Sequence, residues 1–465
     1  MNEPAPPPAS AEQHWYQRIG PGLITACVVI GPGSILTSST IGANNGYSML
    51  WIVVVSVVFM MVYMTMGARL GVVATSPPGD LLRAKSGSWL AVLVGLVVFF
   101  ISAAFQSGNN IGVGAAFDPF VGSKTITIGL VLGLNGLAIV FLLVLRNLYR
   151  ALERLMMVLV AAMLLCFTIN LMMLGIDPVA MARGFLPSSG AINLAVLGLI
   201  GTTFVISAAY YQAYLVRQKG WGEQQLISGL IDARVGSVIM ALITIMLMLT
   251  GAAGLYLGPG QIVKLADPVA IAVALEPTFG ATGEMIFCVG LFSAAYSSFL
   301  VNSMIGGFIL ADGLGLGSKP TDLWPRILSS VVLLTGMVIA LATLLLDFDR
   351  TPMIIAAQAV TVVGAPLVAG VMLWLTSQKD VMGDHTNGPV VKVLGVVGFL
   401  LLLVMAANTA FVKLPAEIEK YRAKQREIVI GFVDEKDHLV RRYDIFEYLH
   451  GKTADIVSAS EFSWR

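Results

Sequence analysis

Long apolar runs recur along the chain, and each is close to the roughly 20 residues that a helix needs to cross a bilayer. The runs lie at about 20–41, 48–67, 88–113, 126–145, 155–175, 192–216, 235–257, 284–310, 327–346, 353–376 and 392–412. Between them lie segments rich in glycine, proline and charge, such as RNLYRALER and GSKPTDLWPR, which are typical of loops. The pattern predicts an all-α integral membrane protein with eleven transmembrane helices.

The composition supports a chain that is surrounded by lipid. Of the 465 residues, 57% are hydrophobic and 12% are charged, whereas about 25% of the residues of a soluble domain are charged. The net charge of +1 gives no reason to expect a nucleic-acid partner. Cys27, Cys166 and Cys288 lie far apart in apolar runs, so we expect unpaired small hydrophobic residues and no disulfide framework.

Both ends of the chain differ from the apolar part. The first residues contain no basic segment followed by an apolar one, which argues against a cleaved signal peptide. We expect residues 1–18 to form a disordered cytoplasmic leader and residues 19–412 to form one transmembrane domain. Residues 413–465 mix both signs of charge with a β-like run, IVIGFV, and are expected to be a solvated tail. A docking or regulatory role of this tail is the alternative.

Lysine and arginine residues indicate how the predicted helices are oriented, because cytoplasmic loops carry an excess of them. With a cytoplasmic N-terminus, the loops on that side hold fourteen of the 28 basic residues, and the opposite loops hold four. The other ten lie in the tail, and long tails count for less than short loops. We therefore predict a cytoplasmic N-terminus, and the odd number of spans places the C-terminus on the opposite side.

The first apolar run is interrupted by the helix-breaking segment Gly31–Gly33, GPG. Proline lacks a backbone donor and glycine is entropically unfavourable in a helix, so the helix is not expected to continue. Ser34 occupies a position where an N-cap could restart it, and Thr37, Ser38 and Ser39 follow one turn later. Non-helical backbone at this depth needs protein groups or a water-lined cavity around it. A simple proline kink is one interpretation; the four hydroxyls favour a binding site.

The sixth apolar run shows a weaker interruption at the matching place in a second half of the chain. Gly198, Gly201 and the β-branched pair Thr202–Thr203 lie in its middle, and no proline marks the break. Paired interrupted helices at corresponding positions of two halves are typical of transporters built from inverted repeats. The two runs together therefore favour a transporter of this kind.

Several segments resemble the Nramp (natural resistance-associated macrophage protein) family. GPGSILTSSTIGANNGYSMLW is similar to the family's first helix, whose signature is Asp-Pro-Gly-Asn followed by Gly-Tyr and Leu-Trp. Further similarities are GTTFVISAAYYQAYLV in the sixth helix, DARVGSVIMALITIML in the seventh, DPVAIAVALEPTFGATGEMIFCVGLFSAAYSS into the eighth and QAVTVVGAP in the tenth. The resemblance covers about residues 18–412. It implies a LeuT-like fold of two inverted five-helix repeats plus one helix, with helices 1 and 6 interrupted.

The chain departs from this family at the positions that bind metal. Gly31 stands where the family has its metal-binding aspartate, and Ser34 stands where it has the asparagine of the same motif. In the sixth helix the family's Met-Pro-His falls on Val205, Ile206 and Ser207. The soft thioether that favours transition metals is thereby replaced by a hydrocarbon. The resemblance thus implies a related site without transition-metal ligands.

Two further positions complete the site that the resemblance implies. The family's backbone carbonyl ligand falls near Thr202, and Gln358 matches the family's glutamine in the tenth helix, with Pro366 in register. The candidate substrate-binding residues are Gly31, Ser34, Thr37, Ser38, Thr202, Val205, Ser207 and Gln358. If a cation binds, we expect Ser34, the Thr202 carbonyl and Gln358 to be its ligands, and none of them is strong.

The family's proton route is altered as well. Its third-helix aspartate and glutamate fall on Gln106 and Asn109, and its second sixth-helix histidine falls on Gln212. The four histidines lie outside the predicted spans, and no aspartate or glutamate lies in the middle of one. Because intramembrane ionisable residues are the usual carriers of proton coupling, we expect an uncoupled facilitator. The alternative for Gln106 and Asn109 is that their amides only form hydrogen bonds between helices.

Three functions fit these residues, and none is enzymatic, since no span or loop combines a nucleophile, a base and an orienting partner. The favoured function is transport of a weakly bound, partly hydrated divalent cation such as Mg²⁺, which commonly keeps several waters. The first alternative is transport of a small anion such as bicarbonate, attracted by the positive ends of two half-helices. The second is a non-transporting receptor or sensor. We expect no cofactor and no nucleic-acid partner, and a monomer in the lipid bilayer.

Overall fold

The structure is a computed structural model, and it describes residues 20–145, 147–187, 194–265, 268–346 and 350–413 together with residues 415, 416 and 419. The predicted leader and nearly all of the predicted tail lie outside these residues. Backbone contacts divide the chain into two units, Met1–Thr409 and Ala410–Arg465. The first unit contains all of the long helices that the structure describes.

The described residues fold almost entirely into helices. In chain order these are α1 (Pro21–Val29), α2 (Pro32–Asn45), α3 (Leu50–Val73), α4 (Pro78–Ser86), α5 (Ser88–Ala115), α6 (Asp118–Val121), α7 (Lys124–Val144), α8 (Leu148–Leu174), α9 (Pro178–Gly184), α10 (Leu194–Thr203), α11 (Ile206–Gln218), α12 (Leu226–Gly254), α13 (Pro268–Gly313), α14 (Leu323–Leu345), α15 (Arg350–Ser377), α16 (Lys379–Met382) and α17 (Pro389–Asn408). Short 3₁₀ turns occur at Glu223–Gln225 and Gly383–His385.

The predicted number of membrane spans is confirmed. Within the described residues, ten helices are long and apolar enough to cross a bilayer, and α1 and α2 form an eleventh span as a pair bent by 59°. Several boundaries differ from the apolar runs: α12 begins at Leu226, well before the run at about 235, and α8 begins at Leu148. The helices extend further because a helix can continue into polar surroundings, where an apolar run stops.

α5 and α13 pack against each other more extensively than any other pair of described helices. α12 packs against α1, α2 and α3, and small residues allow its backbone to come close to both halves of the first span. A side chain at Gly236 would overlap the backbone of Gly22 in α1, and one at Gly251 would overlap the backbone of Ser39 in α2. The three cysteines are buried and unpaired, as expected.

Connectors that the charge pattern assigns to one side lie together at one end of the bundle. Arg217, at the end of α11, donates a hydrogen bond to the carbonyl of Ala74, which ends α3, at 2.6 Å. Lys219, which follows α11, forms an ion pair with Glu153 near the start of α8 at 3.0 Å. The connectors after the second, fourth and sixth spans therefore share one end, in agreement with the predicted alternation of the spans.

Candidate functional site

The first span breaks where the GPG segment predicts that a helix ends. α1 ends at Val29 and α2 begins at Pro32, with Gly31 in an extended conformation (φ −103°, ψ 177°) as its N-cap. Proline suits the first position of a helix, because the N–H it lacks has no partner there. The prediction that Ser34 is the N-cap is wrong, since the helix begins before it. The Ser34 hydroxyl instead donates a hydrogen bond back to the carbonyl of Val29.

The other hydroxyls at the break have different partners. Ser298, on α13, donates a hydrogen bond to the carbonyl of Val28 at 3.2 Å and so satisfies one of the carbonyls that the end of α1 leaves open. Thr37 donates to the carbonyl of Gly33 at 2.7 Å, within its own helix. Ser38 is buried, and its hydroxyl has no hydrogen-bond partner among the described residues. The hydroxyl of Thr37 is therefore engaged within its own helix, and the described part of the structure brings no partner to that of Ser38.

Gly31 faces side chains of α5 and α13. A Cβ atom at this residue would lie 3.0 Å from Asn109 Oδ1, 3.0 Å from Ser298 Oγ and 3.3 Å from a ring carbon of Phe105. Asn109 is only 1% exposed. The structure thus brings together Gly31 and Asn109, two positions at which the chain departs from the family it resembles. The space that a side chain at residue 31 would occupy is lined by neutral oxygen atoms.

Gln106 and Asn109 belong to a buried group of amides between α5 and α13. Asn302 Nδ2 donates hydrogen bonds to the carbonyl of Ser102 at 2.8 Å and to Gln106 Oε1 at 3.1 Å. Asn109 Nδ2 donates to the same Gln106 Oε1 at 3.2 Å. Asn109 Oδ1 and Gln106 Nε2 are buried and have no hydrogen-bond partner among the described residues. Hydrogen bonds within and between the helices therefore satisfy only some of the polar atoms of these amides.

Two residues of α13 that lie here, Ser298 beside Gly31 and Asn302 in the amide group, are not among the predicted site residues. They are four residues apart on α13, and Ser102, Gln106 and Asn109 follow the same helical spacing on α5. Each set is a polar stripe along one helix. The spacing is visible in the sequence, but the contact between the two stripes is visible only once α5 is known to pack against α13.

The sixth span breaks later than predicted. The sequence predicts the interruption among Gly198, Gly201 and Thr202–Thr203, but α10 remains helical through Thr203. The break consists of Phe204 and Val205, and Val205 (φ −82°, ψ 87°) precedes the start of α11. The predicted position is wrong because glycine and β-branched residues weaken a helix without ending it, and backbone hydrogen bonds are retained at this depth.

Val205 and Ser207 lie beside this break and line a small cavity with Ile101 of α5 and Thr361 of α15. Most of its other lining atoms belong to apolar side chains of the sixth span, α15 and α17. The side chains of Thr202 and Gln358 lie outside the part of the structure that is described. α5 reaches both breaks, since Ile101 lines this cavity and Asn109 faces the break of the first span.

Gln212 lies in a different environment from Gln106 and Asn109. Thr25 Oγ1 donates a hydrogen bond to Gln212 Oε1 at 2.5 Å, and Gln212 Nε2 donates to Asp232 Oδ2 at 3.1 Å. Asp232 also accepts hydrogen bonds from the backbone N–H groups of Gly20 at 2.7 Å and Gly22 at 2.6 Å. A carboxylate at the N-terminus of a helix is electrostatically favourable. Gln212 and Asp232 therefore attach the beginning of α1 to α11 and α12.

The apolar pattern assigns Asp232 to a connecting segment, and this assignment is wrong. Asp232 lies inside α12 and is fully buried. Asp312 is a second buried carboxylate outside the predicted runs, near the end of α13. It accepts hydrogen bonds from the Tyr214 hydroxyl at 2.6 Å and from the backbone N–H of Gly79 in α4 at 2.7 Å. Each of these buried carboxylates thus accepts hydrogen bonds from backbone N–H groups at the start of another helix, α1 or α4. A hydropathy pattern alone does not predict them.

Comparisons with known proteins match nearly the whole of the apolar part of the chain. A family model described as "Natural resistance-associated macrophage protein-like" matches residues 22–412. The divalent metal cation transporter MntH of Chromohalobacter salexigens is 26% identical over 414 residues, covering 85% of this chain and 91% of the relative. The MntH of Yersinia enterocolitica is 24% identical over 410 residues, covering 86% of this chain and 96% of the relative.

Solved structures share the fold at low sequence identity. A manganese transporter of Eremococcus coleocola has a TM-score of 0.74 at 18% identity and covers 92% of this chain and 94% of its own. MhsT in complex with L-phenylalanine has a TM-score of 0.57 at 16% identity and covers 85% of this chain and 100% of its own. These similarities confirm the predicted LeuT-like, all-α membrane fold.

Proposed function

This chain belongs to the Nramp family, and from that membership we propose that it transports a divalent metal cation across a membrane as an uncoupled facilitator. Its relatives from Chromohalobacter salexigens and Yersinia enterocolitica are named divalent metal cation transporters. One observation carries the finer proposal about its substrate: the space beside Gly31 is bordered by amide and hydroxyl oxygens instead of a carboxylate.

The ligand chemistry favours a weakly bound, partly hydrated ion such as Mg²⁺ over Mn²⁺ or Fe²⁺. Transition metals gain affinity from soft thioether and thiolate ligands, and Val205 offers neither. Mg²⁺ prefers oxygen ligands and keeps several waters, so few of its ligands have to come from the protein. Asn109 Oδ1 and Ser298 Oγ are oxygens of this kind beside the break of the first span. Weak binding also suits transport, because the ion has to leave again.

We propose that transport is not coupled to protons, because amides stand where the family has titratable groups. Gln106 and Asn109 are amides, and Gln212 is hydrogen-bonded to Thr25 and Asp232. The carboxylate of Asp232 is engaged by the backbone N–H groups at the start of α1, which supports a structural role for it. A proton carrier would have to release and rebind its proton within each transport cycle, and these contacts hold the carboxylate in one place.

We also propose the orientation and boundaries that the sequence suggests. The grouping of the basic connectors at one end of the bundle supports a cytoplasmic N-terminus and a C-terminus on the opposite side. Residues 1–18 would be a leader, residues 19–412 the transport domain and residues 413–465 an appended tail. A monomer is sufficient for this mechanism, because both interrupted helices belong to one chain.

Parallel flux measurements test the function. Purified protein in proteoliposomes is exposed to gradients of Mg²⁺, Mn²⁺ or bicarbonate, with protein-free liposomes as the control. We expect saturable Mg²⁺ entry and slower Mn²⁺ entry. Bicarbonate flux without cation flux would replace the proposal by the anion alternative. A correctly folded protein that moves none of the three ions would contradict transport and favour a receptor.

A further inference from the structure

We infer that Asn109 is a direct ligand of the transported cation and that its Oδ1 replaces, in space, the carboxylate that residue 31 lacks. This inference rests on the proposed cation transport. Asn109 is on the third span, outside the predicted set of substrate-binding residues. Its Oδ1 lies 3.0 Å from the position of a Cβ atom at Gly31 and has no hydrogen-bond partner among the described residues. A buried acceptor without a partner at a helix break is suited to a ligand.

The orientation of the Asn109 amide follows from a backbone carbonyl, which can only accept hydrogen bonds. Since the Ser102 carbonyl is an acceptor, the Asn302 atom 2.8 Å from it is the Nδ2 donor. This Nδ2 lies 3.1 Å from Gln106, so the Gln106 atom that faces it is the acceptor Oε1. The Asn109 atom 3.2 Å from Oε1 is then the donor Nδ2. The remaining amide atom of Asn109, which faces Gly31, is the acceptor Oδ1.

The second polar atom beside Gly31 is also an acceptor. Ser298 Oγ lies 3.0 Å from the position of a Cβ atom at Gly31, and it uses its proton to donate to the carbonyl of Val28. Its lone pairs are therefore what it can offer to a ligand. Two neutral acceptors that converge on one space favour a cation and disfavour an anion. The two oxygens beside Gly31 thus favour a cation through hydrogen-bond geometry, without any charged residue.

Two substitutions at Asn109 and one matched control test this assignment with Mg²⁺ as the probe. Asn109→Asp adds a charge at constant volume, and Asn109→Leu removes both polar atoms. Asn170→Asp is the control, because Asn170 on α8 is equally buried, donates to the carbonyl of Cys166 at 3.1 Å and also has an unpartnered Oδ1. It differs in that its hydrogen bond lies within α8, and it is not among the atoms that a side chain at residue 31 would meet.

We expect Asn109→Asp to lower the Mg²⁺ dissociation constant by about tenfold or more, since a carboxylate attracts a divalent ion. Asn109→Leu is expected to raise it by about tenfold or more, and Asn170→Asp to leave it within about twofold of the wild type. Titration calorimetry on purified protein gives the affinities, and Mg²⁺ flux gives the corresponding KM values. Size-exclusion profiles and melting temperatures establish that each variant is folded. If Asn109→Leu does not fold, Asn109→Asp against Asn170→Asp still decides the question.

The outcomes separate this inference from the function on which it rests. Wild-type Mg²⁺ flux with unchanged affinities in both Asn109 variants would overturn the ligand role and leave cation transport standing. Equal gains in Asn109→Asp and Asn170→Asp would also overturn it, because any added charge would then be sufficient. A wild type that neither binds nor transports a divalent cation would refute the proposed function, and the ligand role would fall with it.

Discussion

Gly31→Asp is the substitution at which the structure most sharply separates a cation site from an anion site. Gly31 has a negative φ of −103°, so an aspartate can adopt its backbone conformation without strain. The new side chain would enter the space that faces Asn109 Oδ1 and Ser298 Oγ. Asn109 Oδ1 is an acceptor, and Ser298 donates its proton to the carbonyl of Val28, so both oxygens can share a cation with the new carboxylate.

The expected gain in cation affinity is the attraction between the new carboxylate and the ion, reduced by the cost of placing the side chain. At an effective dielectric of about 20, two unit charges about 4 Å apart interact by roughly 4 kcal/mol, and a divalent ion doubles this to about 8 kcal/mol. Opposing this, a Cβ atom at residue 31 would lie 3.0 Å from both oxygens, so the neighbouring side chains have to move slightly. The desolvation cost of burying the carboxylate offsets a further part of this attraction. We expect a net gain of about 1.4 to 2.8 kcal/mol, or about 10- to 100-fold in affinity.

Isothermal titration with Mg²⁺ and Mn²⁺ measures this gain, and Gly31→Asn is the matched control, because it adds the same volume without the charge. We expect tighter binding in Gly31→Asp than in Gly31→Asn for both ions. Equal affinities in the two variants would show that residue 31 does not face the ion. Loss of bicarbonate flux in Gly31→Asp, with folding intact and no cation binding, would refute the reasoning in favour of an anion site.

Three further substitutions test other parts of the structure. Val205→Met should make Mn²⁺ a stronger inhibitor of Mg²⁺ flux, since it supplies a thioether; unchanged inhibition would argue against Val205 at the site. Asp232→Ala should lower stability by about 3 kcal/mol or more, because it leaves three buried donors without an acceptor at about 1 to 3 kcal/mol each. Asp177→Ala, at an exposed N-cap, should lower it by about 1 kcal/mol. Equal melting shifts would contradict this. Gly251→Leu should reduce the yield of folded protein, because its side chain would overlap α2. Gly133→Leu is the control, since a Cβ at Gly133 meets no neighbouring atom within 4 Å. Size-exclusion profiles compare the two variants.

The two helix breaks illustrate what local sequence can and cannot predict. At Ile30 and Gly31 the break is local, because Pro32 cannot continue a preceding helix and is suited to start a new one, so its place was predictable. At Phe204 and Val205, no residue forbids a helix, and the break depends on packing against other spans. The start of α12 was missed for a related reason. Hydropathy falls at Asp232 and Arg234, but the helix continues because the Asp232 carboxylate is matched by the N–H groups of α1.

The candidate site was predictable only in part. The resemblance to the family identified Gly31 and Asn109 as exceptional, but it assigned them to different roles, one in binding and one in proton transfer. Their contact depends on the packing of α5 against the first span, which single-sequence periodicity does not contain. Ser298 and Asn302 enter the site only through the packing of α13 against the first span and α5, although their helical spacing was present in the sequence.

The most direct test of uncoupled cation transport is the membrane potential at which Mg²⁺ flux stops in proteoliposomes with a fixed Mg²⁺ gradient. The potential is set with K⁺ and valinomycin, and the measurement is repeated with and without a pH gradient. For an uncoupled divalent ion we predict a shift of about 30 mV for each tenfold change in the gradient, because two charges move per ion, and no effect of pH. A reversal potential that moves with the pH gradient, or a protein that carries bicarbonate and no Mg²⁺, would contradict the account.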